Sequence, residues 1–400
     1  MESHVSPFNK ALNRTKPLLF CDVTLREGEQ TPGVTFTLEE KLALAHELDE
    51  IGVGQIQIAH PKFSRQSLDV CKAVCAMKPR KFKTEIMSNG MWERVFEAID
   101  KLNDYCNPDI IHSYFFGSRY QYANWTKQSK LDMLNRIEKV VAHIKSKGKI
   151  CNISLLDATR TDDPKYLQEQ IRTAVDAGAN RVRLPDTVGT CDPDGYYKVV
   201  SMAVEIAEPK GVLVGIHTHN DFGLALANTL AGIRAGADLV DTTVNGLGDR
   251  AGNVDLIELV VLLEGFYGFH TGIDVKKLKA LSQFAEKIAG KKVHTAKPLT
   301  GEHVFSDESE LHNLCMRDNP FAYQGILPAS FGASRKTIFG KLTSDKVIDM
   351  VCERAGRTID RALYPKIIDE LYELADTHKN YVIDEAKFWA LVETLTGPAQ

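Results

Sequence analysis

Two periodicities alternate along the first two thirds of the chain. Short apolar runs occur at LLFCDV (18–23), QIQIA (55–59), KTEIM (83–87), DIIHSYFF (109–116), ICNISLL (150–156), RVRLP (181–185), VLVGIH (212–217) and LVDTTV (239–244). Each is short, rich in β-branched residues and predicts a strand. Between them lie longer segments with apolar residues at helical spacing, such as LEEKLALAHELDEIG (38–52) and PKYLQEQIRTAVDAGA (164–179). Several of these end in Gly, a common helix stop. The segments AVDAGA and GIRAGA each fall just before a strand, as a helix C-terminus should. Eight strands alternating with helices over ~250 residues predict an α/β fold, a closed parallel (β/α)8 TIM barrel. The competing arrangement is an open doubly wound sheet, which would carry a Gly-rich phosphate loop after its first strand. TLREGEQTPG stands there instead, charged and without the GxGxxG spacing.

The strand rhythm stops after residue 270. Residues 293–340 are rich in Gly, Pro, His and aromatics and read as a lid or linker. TSDKVIDMVCERAG, YPKIIDELYELADTH and DEAKFWALVETL predict a small helical unit beyond it. The expected organisation is an N-terminal extension (1–16), a catalytic barrel (17–270), a linker and lid (271–340) and a helical C-terminal subdomain (341–400).

Composition narrows the function classes. Of the 400 residues 44% are hydrophobic and 26% charged, as in an ordinary globular protein. A net charge of −4 gives no nucleic-acid footprint. No apolar run reaches the ~20 residues that span a bilayer, so a membrane partner is not expected. The N-terminal stretch MESHVSPFNKALNRTKP lacks the apolar core of a secretory signal. The eight cysteines are scattered. Cys71 and Cys75 lie close together on a predicted helix, but no second ligand pair follows. Buried free thiols in a reducing cytoplasm are the plainer reading.

In such a barrel the reactive groups sit at the C-terminal ends of the strands. Three polar clusters fall there. They are Asp22 to Gln30 after strand one, His217 to Asp221 after strand seven, and Gly246 to Asn253 after strand eight. His217 and His219 are two apart on an extended segment, so both imidazoles point to one side. Strands one, seven and eight are neighbours in a closed barrel. Glu27 can therefore complete a divalent-metal site, and Asn253 can add a carbonyl oxygen. Mixed nitrogen and oxygen ligands suit Mg, Mn, Zn or Co alike. Arg26 adjoins Glu27, which suits an oxygen that gains negative charge during reaction. A structural ion pair is the alternative for Arg26.

Taken together, DVTLREGEQTPGV, LPDTVGT, HTHNDFGLALAN and NGLGDRAGN resemble one superfamily. It comprises the metal-dependent barrel enzymes that include isopropylmalate synthase, homocitrate synthase, citramalate synthase and HMG-CoA lyase. The resemblance covers residues 17–345 and favours the synthases. The lyases carry a cysteine in the loop after strand eight, where this chain has Gly248 to Asn253. The segment GEHVFSDESELHNLCMRDNPFAYQGILPASFG also resembles the synthase lid, in which a His and a Tyr eleven residues apart reach the partner subunit's active site. His312 and Tyr323 have that spacing. The length stops short of a leucine-binding regulatory domain, so that route of feedback is not expected.

The resemblance implies a homodimer with lid exchange and a Claisen-type condensation. Acetyl-CoA, as co-substrate, loses an α-proton and attacks a 2-oxo acid chelated by the metal, and hydrolysis frees CoA. By the same resemblance Arg26 stabilises charge on the reacting oxygens, and Thr187 binds the substrate carboxylate. Gln30 and Ser154 line the substrate site, and His312 and Tyr323 assist proton transfer. A carbon–carbon lyase or aldolase using the same metal site, or an inactive barrel acting as a binding subunit, are the competing functions.

The substrate end departs from the pattern. Synthases commonly carry Ser-x-Glu-Asp before an Arg on strand five. Here Ser154, Asp157 and Arg160 match, but Leu156 takes the glutamate's place. Homocitrate synthases place an arginine where this chain has Asn152. On strand six, Arg181 and Arg183 alternate with Val182 and Leu184, so both arginines are expected inside the barrel. A charge there needs a partner, which is either a protein carboxylate or a second anion on the substrate. The latter would make Arg183 the reader of a dianionic acceptor such as 2-oxoglutarate, oxaloacetate or phosphonopyruvate. His60, His112 and Arg119 are further candidates for that task.

Overall fold

Eight parallel strands close into a barrel in the computed structural model of the protein, which describes residues 1–60, 65–122 and 129–396. They are β1 (Leu19–Asp22), β2 (Gln55–Ala59), β3 (Lys83–Asn89), β4 (Ile110–Phe116), β5 (Ile150–Leu156), β6 (Arg181–Asp186), β7 (Leu213–Thr218) and β8 (Leu239–Thr242). Strand β1 pairs with both β2 and β8, which closes the ring. Every strand expected from the apolar runs is present.

The two faces of the strands differ in chemistry. Ile56, Ile58, Ile86, Ile111, Ile153, Val182, Leu184, Val214 and Ile216 are buried toward the helices. The alternate positions are polar yet equally buried: Gln55, Gln57, Glu85, His112, Asn152, Ser154, Arg181 and Arg183. Side chains from β2, β3, β4, β5 and β6 in this set bond to one another across the barrel. The interior is thus held by hydrogen bonds and ion pairs rather than by the Val, Ile and Leu layers usual in this fold.

The helices are fixed at their ends by local chemistry. Leu38–Ile51 starts on a capping box in which the Thr37 hydroxyl accepts from Glu40 N (3.1 Å) and the Glu40 carboxylate accepts from Thr37 N (2.8 Å). It stops at Gly52, whose φ of +95° places it in the left-handed region that closes a helix. Lys130–Ser146 starts on the same kind of box, between Ser129 and Asp132.

The chain forms two compact units. One holds Lys10–Lys292, including the barrel and the helix Leu278–Ala289. The other combines Met1–Asn9 with Val293–Gln400. In the second unit Ser306–Asp307 pairs with Lys336–Thr337, followed by the helices Asp345–Ala355, Tyr364–Thr377 and Glu385–Thr396. Their shared core includes Val347, Val351, Ile367 and Leu371, and Phe339 stacks on Phe388 at 4.1 Å. Among the described residues no helix is long and apolar enough to cross a membrane.

Candidate metal centre and active-site cavity

Glu27, His217 and His219 converge at the C-terminal mouth of the barrel, with ligand atoms all within 4.8 Å of one another and all three side chains buried. Glu27 lies on the turn of helix directly after β1. His217 lies in β7, and His219 follows it as the chain leaves the strand. The Nε2 atoms of the two imidazoles face each other at 3.2 Å. The Nδ1 of His217 is taken by Asp241 of β8 (2.9 Å), which leaves its Nε2 to the site. Burial, then the neighbouring His217, drives the His219 pKa down to about 3, so it stays a neutral imidazole as a metal ligand must be. Burial works against the Glu27 charge, but Arg26 beside it outweighs that and holds the carboxyl below its usual range.

Asn253 joins this group. It pairs with His219 in an antiparallel bridge, and its Nδ2 lies 3.2 Å from His217 Nε2. Its Oδ1 is buried with no hydrogen-bond partner among the described residues, as is His219 Nδ1. The turn that delivers Asn253 needs glycine at position 252. Gly252 has φ +88°, and a Cβ there would lie 1.9 Å from the carbonyl oxygen of Gly246. A carboxylate, two imidazoles whose Nε2 atoms face each other and an orphaned amide oxygen are a donor set suited to a divalent cation.

Below the metal centre lies a charged floor. Backbone register puts Pro185 beside His217 and Arg183 beside Gly215 and Ser154. Ser154 and Arg183 therefore stand one side-chain layer beneath the metal ligand. Glu85 of β3 is the hub of this layer. It accepts from Gln55 Nε2 (2.7 Å), Asn152 Nδ2 (3.0 Å), Arg183 Nη1 (3.0 Å) and Gln57 Nε2. Burial alone would push its carboxyl up, but Arg183 and His112 hold it well below the carboxylate range. Arg183 bridges the hub to the metal side through Asp241 Oδ1 (3.2 Å). Arg181 bonds to Gln55. The charge of Arg183 is thus answered by two protein carboxylates, one of the two partners left open by the sequence.

His112 of β4 completes the floor. Its Nδ1 is 3.0 Å from Glu85 Oε1, and its Nε2 is 2.6 Å from the Ser154 hydroxyl.

A cavity of about 630 Å³ opens on both levels, within the usual range for a small-molecule site. Arg26, Glu27, Gln30, Ser154, Arg183, Thr187, His217 and His219 line it together. Arg26 is ion-paired with Glu27 and donates to Gln57. The Thr187 hydroxyl accepts from Asp157 N (2.8 Å), and its own proton has no acceptor among the described residues. His60 also lines the cavity, with its ring 5.6 Å from that of Tyr114. Arg119 is instead exposed and pairs with Asp162. His312 and Tyr323 belong to the second unit, where their rings stack at 3.8 Å and His312 Nδ1 meets Asp307 Oδ1 at 2.9 Å.

Comparison with known proteins places the chain in a family. The HMGL-like family pattern matches residues 18–285. A probable 2-isopropylmalate synthase of Ignicoccus hospitalis is 36% identical over 91% of this chain and 89% of its own length. The chain belongs to the HMGL-like family. Within it the chain is also similar to the homocitrate synthase of Methanothermobacter thermautotrophicus, 34% identical over 100% of this chain and 99% of that one. A putative (R)-citramalate synthase of Methanopyrus kandleri is 36% identical over 95% and 73%. Among solved structures, the Bacillus subtilis HMG-CoA lyase superposes with a TM-score of 0.60 at 20% identity, covering 70% of this chain and 96% of that one. That likeness concerns the fold.

Several residues of this site were not singled out by the sequence reading: Gln57, Glu85 and Asp241. The first two left a signal. Gln55, Gln57 and Glu85 are polar residues at alternate positions of otherwise apolar strands, the pattern that flagged Arg181 and Arg183 on β6.

Proposed function

We propose that the protein joins the acetyl group of acetyl-CoA to the keto carbon of a 2-oxo acid and releases CoA. Synthases named for isopropylmalate, homocitrate and citramalate at 34 to 36% identity support this reading. The structural observation that carries it is the convergence of Glu27, His217 and His219 beside Arg26 on one cavity. Glu27, His217, His219 and Asn253 would hold a divalent ion, which would supply Lewis-acid polarisation to a ketone bound beside it. Arg26 faces that position and meets the oxygen that gains charge. Thr187 donates its free hydroxyl proton to the acceptor's carboxylate. His312, held by Asp307 and stacked on Tyr323, serves proton transfer in the cavity of a second copy, as the lid of a homodimer. Eight free thiols fit a reducing, cytoplasmic setting.

For the acceptor, charge is the guide. Arg26 is paired with Glu27, and Arg183 with both Glu85 and Asp241. A divalent ion adds two positive charges to this set, which favours an anionic acceptor. Both Nη groups of Arg183 are already committed to Glu85 and Asp241. A distal anion therefore finds the Arg183 Nε–H, buried without a hydrogen-bond partner among the described residues, and the Ser154 hydroxyl. The test is CoA release from acetyl-CoA by metal-loaded protein across a 2-oxo acid panel, with product masses. Release with oxaloacetate, 2-oxoglutarate or phosphonopyruvate is expected. Release only with apolar acids overturns the acceptor assignment, and release with none overturns the function.

A further inference from the structure

The line Glu85–His112–Ser154 spans β3, β4 and β5 and ends on the cavity. Glu85 Oε1 is an acceptor only, so its 3.0 Å approach to His112 assigns the proton to Nδ1. Two donors also stand near that nitrogen, Gln57 Nε2 at 3.0 Å from β2 and Arg183 Nη1 at 3.3 Å from β6, and both donate to the Glu85 oxygen. The Nε2 of His112 then carries a lone pair, and the Ser154 hydroxyl 2.6 Å away donates to it. In this state Ser154 shows the cavity only oxygen lone pairs. It repels a carboxylate.

The other charged groups acting on His112 are Glu85, Arg183 and, from β8, Asp241. Burial pushes the imidazole toward neutrality against the pull of Glu85. A distal anion on the acceptor adds a second negative charge beside Ser154 and tips that balance. We propose that the acceptor's distal anion binds together with one proton, which His112 takes from solvent at Nε2. The new Nε2–H donates to Ser154 Oγ, and the Ser154 hydroxyl proton turns from His112 to the anion. No covalent bond changes beyond the added N–H. An apolar acceptor recruits no proton. Glu85 is the positioning residue that fixes the tautomer, and the acceptor class rests on the function proposed above.

The experiment is calorimetry on the intact, Mg2+-loaded protein at pH 7.5, without CoA, in two buffers of different ionisation enthalpy. Oxaloacetate and 2-oxoglutarate are compared with 2-oxobutyrate and 2-oxopentanoate. About one proton taken up with the anionic acids and about none with the apolar ones is expected. Ser154→Ala, a small change at the cavity wall, should abolish the uptake and weaken the anionic acids at least tenfold while sparing the apolar ones. A merely structural role would weaken both alike. Equal proton counts, uptake that survives in Ser154→Ala, or failure of the anionic acids to bind overturns the proposal. If CoA release occurs with equal proton counts, the relay falls and the condensation stands. If CoA is never released, the function falls first.

Discussion

Glu85 and Arg183 allow a quantitative test of what holds the barrel interior. Both are essentially fully buried and lie 3.0 Å apart. Glu85→Met removes the anion but leaves Arg183 in place with Asp241 as its remaining carboxylate partner. Breaking a buried pair from one side typically costs about 3–5 kcal/mol. The upper half applies here, because Gln55, Gln57, Asn152 and His112 lose their common acceptor as well. The double variant Glu85→Met/Arg183→Met removes both charges and refills the space with apolar volume. It should recover part of the loss, with a coupling energy on the order of 1–3 kcal/mol. Urea unfolding of metal-free protein reads this out as shifts in midpoint at unchanged slope. A single Glu85→Met variant that loses less than about 1 kcal/mol, the level of an exposed pair, would refute the reasoning. So would single costs that simply add in the double.

Other outcomes follow from the same geometry. Replacing His219 with Ala should abolish stoichiometric divalent-metal binding, measured by elemental analysis after dialysis, while the apo fold persists by circular dichroism. Asp241→Asn removes the anion that orients His217, and metal affinity should fall roughly 10–100-fold by titration. Burial raises the Asp22 carboxyl to about 7. The unfolded chain therefore gives up this proton near pH 4 while the folded protein keeps it, so stability lost to Asp22 accumulates from about pH 4 to pH 7. Asp22→Asn should then gain on the wild type as pH rises through that window, by up to a few kcal/mol. A pH-independent difference in urea midpoints counts against this. Gly252→Ala should distort the turn carrying Asn253 and lower metal affinity, seen in the same titration, more than Gly211→Ala, where a Cβ meets nothing within 4 Å.

The fold was largely legible in the sequence because each apolar run is bounded by turn residues, and the helices carry their own stop signals. All eight strands begin and end within two residues of the runs, β3 continuing to Asn89 and β8 stopping at Thr242. The convergence of Glu27, His217 and His219 was legible for a different reason. His217 and His219 share a side by strand geometry, and barrel closure brings Glu27 beside them. The floor was harder to read. Arg183 announced a buried charge, but its partners come from β3 and β8, far away in sequence and joined only by the inward direction of the strands. The Glu85–His112–Ser154 line likewise needs three successive strands in register. No local pattern encodes that register, because it follows from packing the whole ring.

The Glu85 hub also bears on how this barrel can change its diet over generations. A descendant that exchanges Arg183 alone, or Glu85 alone, passes through a state with a stranded charge at the heart of the ring. Simultaneous or compensated exchanges on β3 and β6 avoid that valley. Acceptor preference in this lineage should therefore shift in paired steps, with positions 85 and 183 travelling together while 27, 217 and 219 stay put. Libraries that randomise 85 and 183 jointly should reach new acceptors that one-site scans miss.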